Sequence, residues 1–164
     1  EVMGVGCTFA EAFVKSQLAA GVKLPTKGKI FISVRKSDRL PAVEIARKLA
    51  ELGFTLYATR GTASALSKAG LEVVSVNKGK EGRPHIVDMI KNGEINLIIN
   101  TVGDKRSAVQ DSYSIRHAVL QARVTYFTTL AGARAACIGM ANIRELKVYD
   151  LQKLHKLIES ELPH

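Results

Sequence analysis

Short aliphatic runs alternate with amphipathic segments from about residue 29 to the end of the chain. The runs with strand character cover residues 30–34, 54–58, 73–76, 97–99 and 125–128. The connections are short and several contain glycine, which is typical of parallel strands joined by helical crossovers. The pattern therefore predicts an α/β domain built on one parallel sheet of five strands.

Between these runs, apolar residues recur at helical spacing and mark the predicted helices. They cover residues 39–52, 62–69, 84–91, 112–122, 130–140 and 151–159. Asp38 precedes the first of these helices, Pro84 opens the third, and Asp111 or Ser112 caps the fourth. Glycines end the first two. Every strand is thus followed by a helix that can cover the sheet.

The first 28 residues differ from this alternation. Thr8 and Glu11 have the spacing of a capping box, and Gly21 ends the helix that the box begins. The predicted apolar face of that helix consists of Phe9, Ala12, Phe13 and Leu18. Because a lone helix cannot bury such a face, we expect it to pack on another element. Residues 24–28 are predicted to be a linker, and the first residue, Glu1 rather than Met, suggests a piece of a longer protein.

Composition narrows the class of protein and of partner. The chain is 46% hydrophobic but only 5% aromatic, which suits helices layered on a buried aliphatic sheet. The net charge of +9 favours an anionic partner, yet there is no dense basic run and no nucleic-acid signature. A small phosphate ligand therefore fits best, with neither nucleic acid nor membrane as partner. Cys7 and Cys137 are isolated, which predicts two reduced thiols in a cytoplasmic protein without signal peptide or spanning segment.

Polar and basic residues gather where strands end, and in an open parallel sheet ligands bind beyond the carboxyl ends of the strands. The predicted ligand-binding residues are Arg39, Thr59, Gly61, Thr62, Lys78, Asn100, Thr101 and Arg106. Residues 59–62 combine a strand end, a glycine turn and a helix start, which together favour an anion site. The alternative is an ordinary turn in which Thr62 caps the helix.

Other polar positions allow two interpretations each. The loop around Arg83 and His85 either contacts the ligand or is simply made rigid by Pro84. Thr128 and Thr129 either bind a second effector or cap the next helix. No nucleophile motif, acid–base pair or metal-ligand spacing occurs. A phosphate site without such groups indicates a sensor rather than a catalyst.

Several of these stretches resemble the methylglyoxal synthase-like domain that ends the large chain of bacterial carbamoyl-phosphate synthase. The stretches are NK (77–78), EGRPH (81–85), INT (99–101), DSYSIR (111–116) and TTL (128–130). The opening GVGCTFAEAF (4–13) resembles the tail of the preceding ATP-using domain of that family. The resemblance implies a Rossmann-like three-layer sandwich, with residues 1–27 as tail and linker and residues 28–164 as the allosteric domain.

The same resemblance implies a function. The parent enzyme makes carbamoyl phosphate from bicarbonate, glutamine-derived ammonia and ATP with Mg or Mn, and it works with a glutaminase small chain. This domain would need no cofactor and would bind UMP or IMP, with ornithine acting near Thr128. Arg39 stands where the family often has Lys, and Val102 replaces a hydroxyl. The alternative is a methylglyoxal synthase-type lyase, which uses an aspartate in the loop that is 82–84 here, where no carboxylate occurs.

Overall fold

The chain folds into helices packed on both faces of one sheet. The computed structural model describes residues 1–77, 85–103, 106–143, 146–150, 152, 153, 155 and 156, and for residues 106–111 it describes only the backbone. The helices are α1 (Phe9–Ala19), α2 (Arg39–Glu51), α3 (Arg60–Lys68), α4 (Ile86–Lys91), α5 (Arg106–Ala122) and α6 (Leu130–Asn142). The strands are β1 (Lys29–Ser33), β2 (Thr55–Thr59), β3 (Val74–Val76), β4 (Leu97–Asn100) and β5 (Thr125–Phe127).

The sheet has the strand order β3-β2-β1-β4-β5, and every pairing is parallel. The chain moves outward from β1 to β3 and then returns to place β4 on the other side of β1. Strand order therefore reverses between β1 and β4, which is where open α/β sheets bind their ligands. The predicted five-stranded parallel sheet is confirmed.

Two apolar clusters, one on each face of the sheet, hold the helices against it, so the domain has three layers. On one face of the sheet, β1, β2 and β4 pack against α2, α3 and α6, with Leu49, Leu66 and Ala136 at the centre. On the other face, Phe31 and Ile98 pack against α4 and α5. Because consecutive side chains of a strand point to opposite faces, each buried strand supplies both clusters. This explains why the strands are continuous apolar runs.

Three predicted helix starts need correction. α5 begins at Arg106, not after a cap at Asp111 or Ser112. The hydroxyl of Ser112 is buried and accepts a hydrogen bond from Asn100 of β4, so it links two layers instead of capping a helix. Thr62 lies within α3, two residues after its start at Arg60. α4 begins at Ile86 after His85, and Pro84 lies outside the described residues.

Helix α1 packs mainly on α6, as expected of a helix with an apolar face, but only part of the predicted face takes part, since Phe13 packs against the core. Thr8 accepts a hydrogen bond from the Glu11 N–H, as expected for the cap, while Phe9 and Leu18 are exposed. The buried apolar residues are Ala10 and Val14. A Cβ added at Gly139 of α6 would lie only 2.7 Å from Val14 Cγ2. Ala10 and Val14, together with Phe13 of the predicted face, therefore join α1 to the core, and Val14 and Phe13 meet α6 at Gly139. The predicted helix at 151–159 lies largely outside the described residues.

Candidate functional site

The reversal point between β1 and β4 carries a pair of buried polar residues. Ser33 and Asn100 are register partners at the carboxyl ends of these strands, and both are buried. Each lies two residues beyond a member of the α4/α5 cluster, Phe31 and Ile98 respectively, so both face the α4/α5 side of the sheet. The Ser33 hydroxyl has no hydrogen-bond partner within the described structure. A buried unpartnered hydroxyl is uncommon and indicates a place where a ligand or water is expected.

Asn100, a predicted ligand residue, is already held by its neighbours. Its Nδ2 donates to Ser112 Oγ at 3.3 Å and to the Tyr126 hydroxyl at 2.9 Å. Both donor positions of the amide are therefore used. Asn100 can accept a hydrogen bond from a ligand through Oδ1, and its orientation is fixed by α5 and β5.

Thr62, the second predicted hydroxyl, ties two loops together. Its Oγ1 accepts from the Val34 N–H at 3.2 Å and contacts the Val34 carbonyl at 3.5 Å. The Thr59 hydroxyl donates to the same oxygen at 3.3 Å. Thr62 is buried, so its hydroxyl fixes the loop after β1 against the start of α3. Thr59 is half-buried and is the residue before α3, without a capping hydrogen bond from its side chain.

Arg39 and Gly61 bring a positive charge next to the first turn of a helix. The guanidinium of Arg39, the first residue of α2, lies against the first turn of α3 at Gly61. A Cβ at Gly61 would overlap Arg39 Nη2 and lie 2.9 Å from its Cζ, so the glycine leaves room for the guanidinium in this position. Arg39 has no ion pair with a described carboxylate, and its Nε is buried without a partner. The positive charge of Arg39 therefore lies close to the backbone amides of the first turn of α3, which have no partner within the helix.

Thr101, the first residue after β4, connects the loop after β4 to the loop after β1. Its Oγ1 accepts from the Arg35 N–H at 3.1 Å, and the Thr101 N–H donates to the Ser33 carbonyl at 3.0 Å. Asp38 accepts from Arg35 Nε at 2.9 Å and makes no capping bond to α2. Burial opposes ionisation of Asp38, but hydrogen bonds from Thr101 and Arg35 outweigh it and hold its pKa below the ordinary value.

Thr128 lies beside this cluster, at the end of β5. It lines a pocket of about 260 Å³ together with Arg35, Asp38 and Thr101. The neighbouring Thr129 caps α6 by accepting from the Gly132 N–H at 3.1 Å. Thr129 is therefore the cap, while Thr128 lines a pocket and its binding of a second effector stays a prediction.

The remaining predicted residues stay predictions. Lys78 and the loop at 82–84 lie outside the described residues, and Arg106 is described only as the first backbone position of α5. His85 immediately precedes α4, its Nδ1 is buried without a partner, and its Nε2 lies 3.9 Å from Asp88 Oδ2. The His85 side chain is half-buried, and its predicted contact with a ligand stays a prediction.

Sequence reasoning missed Ser33, Ser112 and Tyr126 as parts of the site. Ser33 carried a signal: it is the only polar residue in the apolar run 30–34. Ser112 was interpreted as a cap, and Tyr126 as a strand residue. Their contact with Asn100 joins positions 12 and 26 residues apart in sequence, which local patterns do not reveal.

Within the described part of the chain, no cluster of His, Cys, Asp and Glu has the arrangement of a metal site. The helices of that same part include none with the length and apolar character needed to cross a membrane.

The fold and the site define a class of protein. Residues 41–128, more than half of the chain, match the family model of the MGS-like domain, and the chain belongs to that family. A methylglyoxal synthase from Elizabethkingia anophelis has the same fold, with a TM-score of 0.55 over 81% of this chain and 93% of that one at 15% identity.

Curated relatives are more specific. The chain is 59% identical over 155 residues to the carbamoyl phosphate synthase large chain of Ralstonia nicotianae, covering 94% of this chain. It is 51% identical to the large chain of Xanthomonas axonopodis pv. citri and 49% identical to that of Pasteurella multocida, covering 98% and 95% of this chain. The chain spans only 14–15% of the length of these relatives. It is therefore similar to one region of a much longer protein.

Proposed function

We propose that the chain is the regulatory region of a carbamoyl phosphate synthase large chain and binds a nucleotide monophosphate, UMP or IMP. The parent reaction, its ATP and metal requirement and its glutaminase small chain are those that the resemblance implies. Identities of 49–59% across almost the whole chain support this parent. Chemistry then takes place elsewhere in the large chain, and this region acts as a sensor.

The observation that carries the proposal is the position of Arg39. An arginine without a described carboxylate partner lies across the glycine at the first turn of a helix, at the carboxyl edge of a parallel sheet. A phosphate there receives charge-assisted hydrogen bonds from the guanidinium and from the amides of α3. Lys78, which follows the neighbouring strand β3 by two residues, is proposed to add a second cation.

The rest of the nucleotide has polar groups within reach of the same edge. Ser33 offers a hydroxyl with no partner, and Asn100 offers Oδ1 while its nitrogen is fixed. Both lie at the reversal point; Arg39 begins the helix after β1, and Gly61 follows β2, the strand next to β1. These groups suit the hydroxyls of a ribose or the edge of a base.

Regulation then requires that the large chain has two states with different affinities for the nucleotide. The nucleotide cannot shift the equilibrium otherwise, however tightly it binds. Loops after β1 and β4 are tied through Thr101 and Arg35. A ligand that orders one of these loops therefore also orders the other.

Calorimetric titration with UMP and IMP tests the proposal. Arg39→Gln is expected to weaken binding of either nucleotide about tenfold or more, the effect of one charge-assisted hydrogen bond. Lys78→Ala is expected to cost about 1–3 kcal/mol of binding free energy. Arg47→Gln is the matched control, because Arg47 donates to the Ala69 carbonyl away from the site. If the unaltered chain binds neither nucleotide, the proposal is wrong.

The lyase alternative is tested with the same protein. Incubation with dihydroxyacetone phosphate is expected to yield no methylglyoxal. Product formation that disappears in Arg39→Gln would show instead that the phosphate site serves catalysis. The fold shared with a methylglyoxal synthase makes this control necessary.

The pocket at Thr128 is proposed to bind the second effector, ornithine. Its lining combines a hydroxyl with Asp38, whose lowered pKa keeps the carboxylate charged to accept an ammonium group. Thr128→Val is expected to weaken the response of the parent large chain to ornithine while nucleotide affinity stays unchanged. Equal losses for both effectors would place ornithine elsewhere.

A further inference from the structure

A groove runs along the outer edge of the sheet, beside β5. It shares Tyr126 with the nucleotide site, through the hydrogen bond from Asn100, but neither Arg39 nor Gly61 lines it. Its floor is β5 with the residues that flank it, and its walls are the end of α1 and the outer side of α5. The groove has a volume of about 690 Å³, the largest of the pockets described above. Since β5 is an edge strand, one side of its backbone has no neighbouring strand within the part of the chain that the structure describes.

The α5 wall combines apolar and basic residues. Leu120 is 77% exposed and lines the groove together with Arg116, one turn earlier in α5, and Arg123, which directly follows the helix. Neither arginine has an ion pair with a described carboxylate, whereas Arg35 and Arg134 both do. An apolar groove flanked by unpaired cations beside an open strand edge fits an extended segment that carries acidic residues.

The backbone at Arg123 differs from the backbone that follows the other helices. Helices α1 to α4 are each followed within two residues by a glycine with positive φ, between 70° and 87°: Gly21, Gly53, Gly70 and Gly93. Helix α5 is followed by Arg123 at φ 52°, the one non-glycine residue with positive φ in the described chain. An arginine in this left-handed conformation is strained relative to glycine. A glycine at this position would relieve the strain, so the charge of Arg123 can be tested separately from its backbone conformation.

We propose that this groove docks an extended acidic segment of the same large polypeptide, from a part outside residues 1–164. This identification of the source rests on the proposed function, because the relatives are about seven times as long as this chain. A second copy of the chain is disfavoured. Pairing two β5 edges would bring two sets of Arg116 and Arg123 together, in chains that each carry a net charge of +9.

Site-specific photocrosslinking in the full-length large chain tests the proposal. Leu120→p-benzoylphenylalanine places the probe in the groove, and Leu40→p-benzoylphenylalanine is the matched control, an 83% exposed leucine on α2. On irradiation, the probe at 120 is expected to link to an Asp- and Glu-rich segment of the same polypeptide at least fivefold more than the probe at 40. Equal yields, a link to a second copy or a link to another protein would overturn the proposal.

A second set of variants separates docking from stability. Arg123→Gly is expected to reduce crosslinking from position 120 several-fold, yet slow amide exchange at the end of α5 about fivefold by removing the strain. Arg123→Lys is expected to keep the crosslink, since it keeps the charge. If Arg123→Gly leaves the crosslink intact, the guanidinium does not hold a partner. UMP binding is measured in parallel, so failure of the groove and failure of the nucleotide site give different results.

Discussion

At the scale of single residues, Gly61 shows what the sequence could and could not say about the site. A glycine in the TRGT turn allows close backbone approach and a positive φ. The close approach is present, because Arg39 occupies the space that a Cβ would fill. The positive φ is absent, since Gly61 has entered α3 and is not among the left-handed glycines. The glycine therefore provides room for a cation, not a special backbone conformation.

Replacing Gly61 by alanine separates these two roles. Gly61→Ala is expected to stabilise the helical backbone by up to about 1 kcal/mol but to displace the Arg39 guanidinium. UMP affinity measured by calorimetry should fall about tenfold while the free energy of unfolding is unchanged or higher. Ser64→Ala, an exposed change in the same helix, is the control and should leave affinity unchanged. Unaltered UMP binding in Gly61→Ala would mean that Arg39 does not contact the phosphate.

Thr62 makes a prediction about stability rather than affinity. Its oxygen is the hydrogen-bond acceptor for the buried Val34 N–H. Thr62→Val keeps the size of the side chain but leaves that N–H unpaired, so the free energy of unfolding should fall by about 1–3 kcal/mol. Thr62→Ser should recover most of the loss. Denaturant titration checks both variants, and an unchanged midpoint for Thr62→Val would show that water replaces the hydroxyl.

At the scale of elements, the five strands were predicted within a residue or two of their observed ends. Buried parallel strands are continuous apolar runs, and nothing competes with that signal. Helix starts were less predictable because Ser, Thr and Asp cap helices but also bond across layers. Ser112 and Thr62 do the latter. The exposed Phe9 and Leu18 show the same limit, since small residues at a close helix contact leave a weak sequence signal.

Glu11 joins α1 to the segment after α6. Its carboxylate forms an ion pair with Lys15 at 2.9 Å and accepts from the Tyr149 hydroxyl at 2.8 Å and the Lys147 N–H at 3.2 Å. The Cys7 N–H donates to it as well, at 3.1 Å. The ion pair with Lys15, opposed by burial and assisted by these hydrogen bonds, lowers the pKa of Glu11 to about 2. The sequence predicted only the local capping role of this residue.

This pKa predicts a local transition in acid. The folded-state pKa lies below the ordinary value of 4.5, so the contacts are complete above that pH and are lost as the pH falls towards 2. The NMR amide signal of Lys147 should shift in this window, ahead of the strand amides. Glu11→Gln should abolish the shift at every pH. Simultaneous loss of the β1 and Lys147 signals would show global acid unfolding instead of release of this segment.

At the scale of the whole molecule, the position of a residue in the three layers determines whether solvent can reach its side chain. The three-layer sandwich encloses residues of α6, while the edge of the sheet and the segment before α1 face solvent. α1 packs on α6, and the predicted division at residues 27 and 28 stays a prediction. The two cysteines can be used to probe this arrangement because they differ in solvent exposure. Cys7 is exposed, and Cys137 is buried in the α2/α3/α6 layer.

The thiols therefore give a test of the whole fold. Burial raises the pKa of Cys137 to about 12, so its thiolate is scarce as well as inaccessible at pH 8. Ellman's reagent should modify one thiol per native chain rapidly and the second only when denaturant unfolds the sandwich. In Cys7→Ser, the native chain should show no rapid reaction, and the rate at Cys137 should follow the population of the open state. Rapid modification of Cys137 in the native chain would contradict the packing of α6 against α2, because its sulfur lies 3.9 Å from the Ile45 carbonyl in that interface.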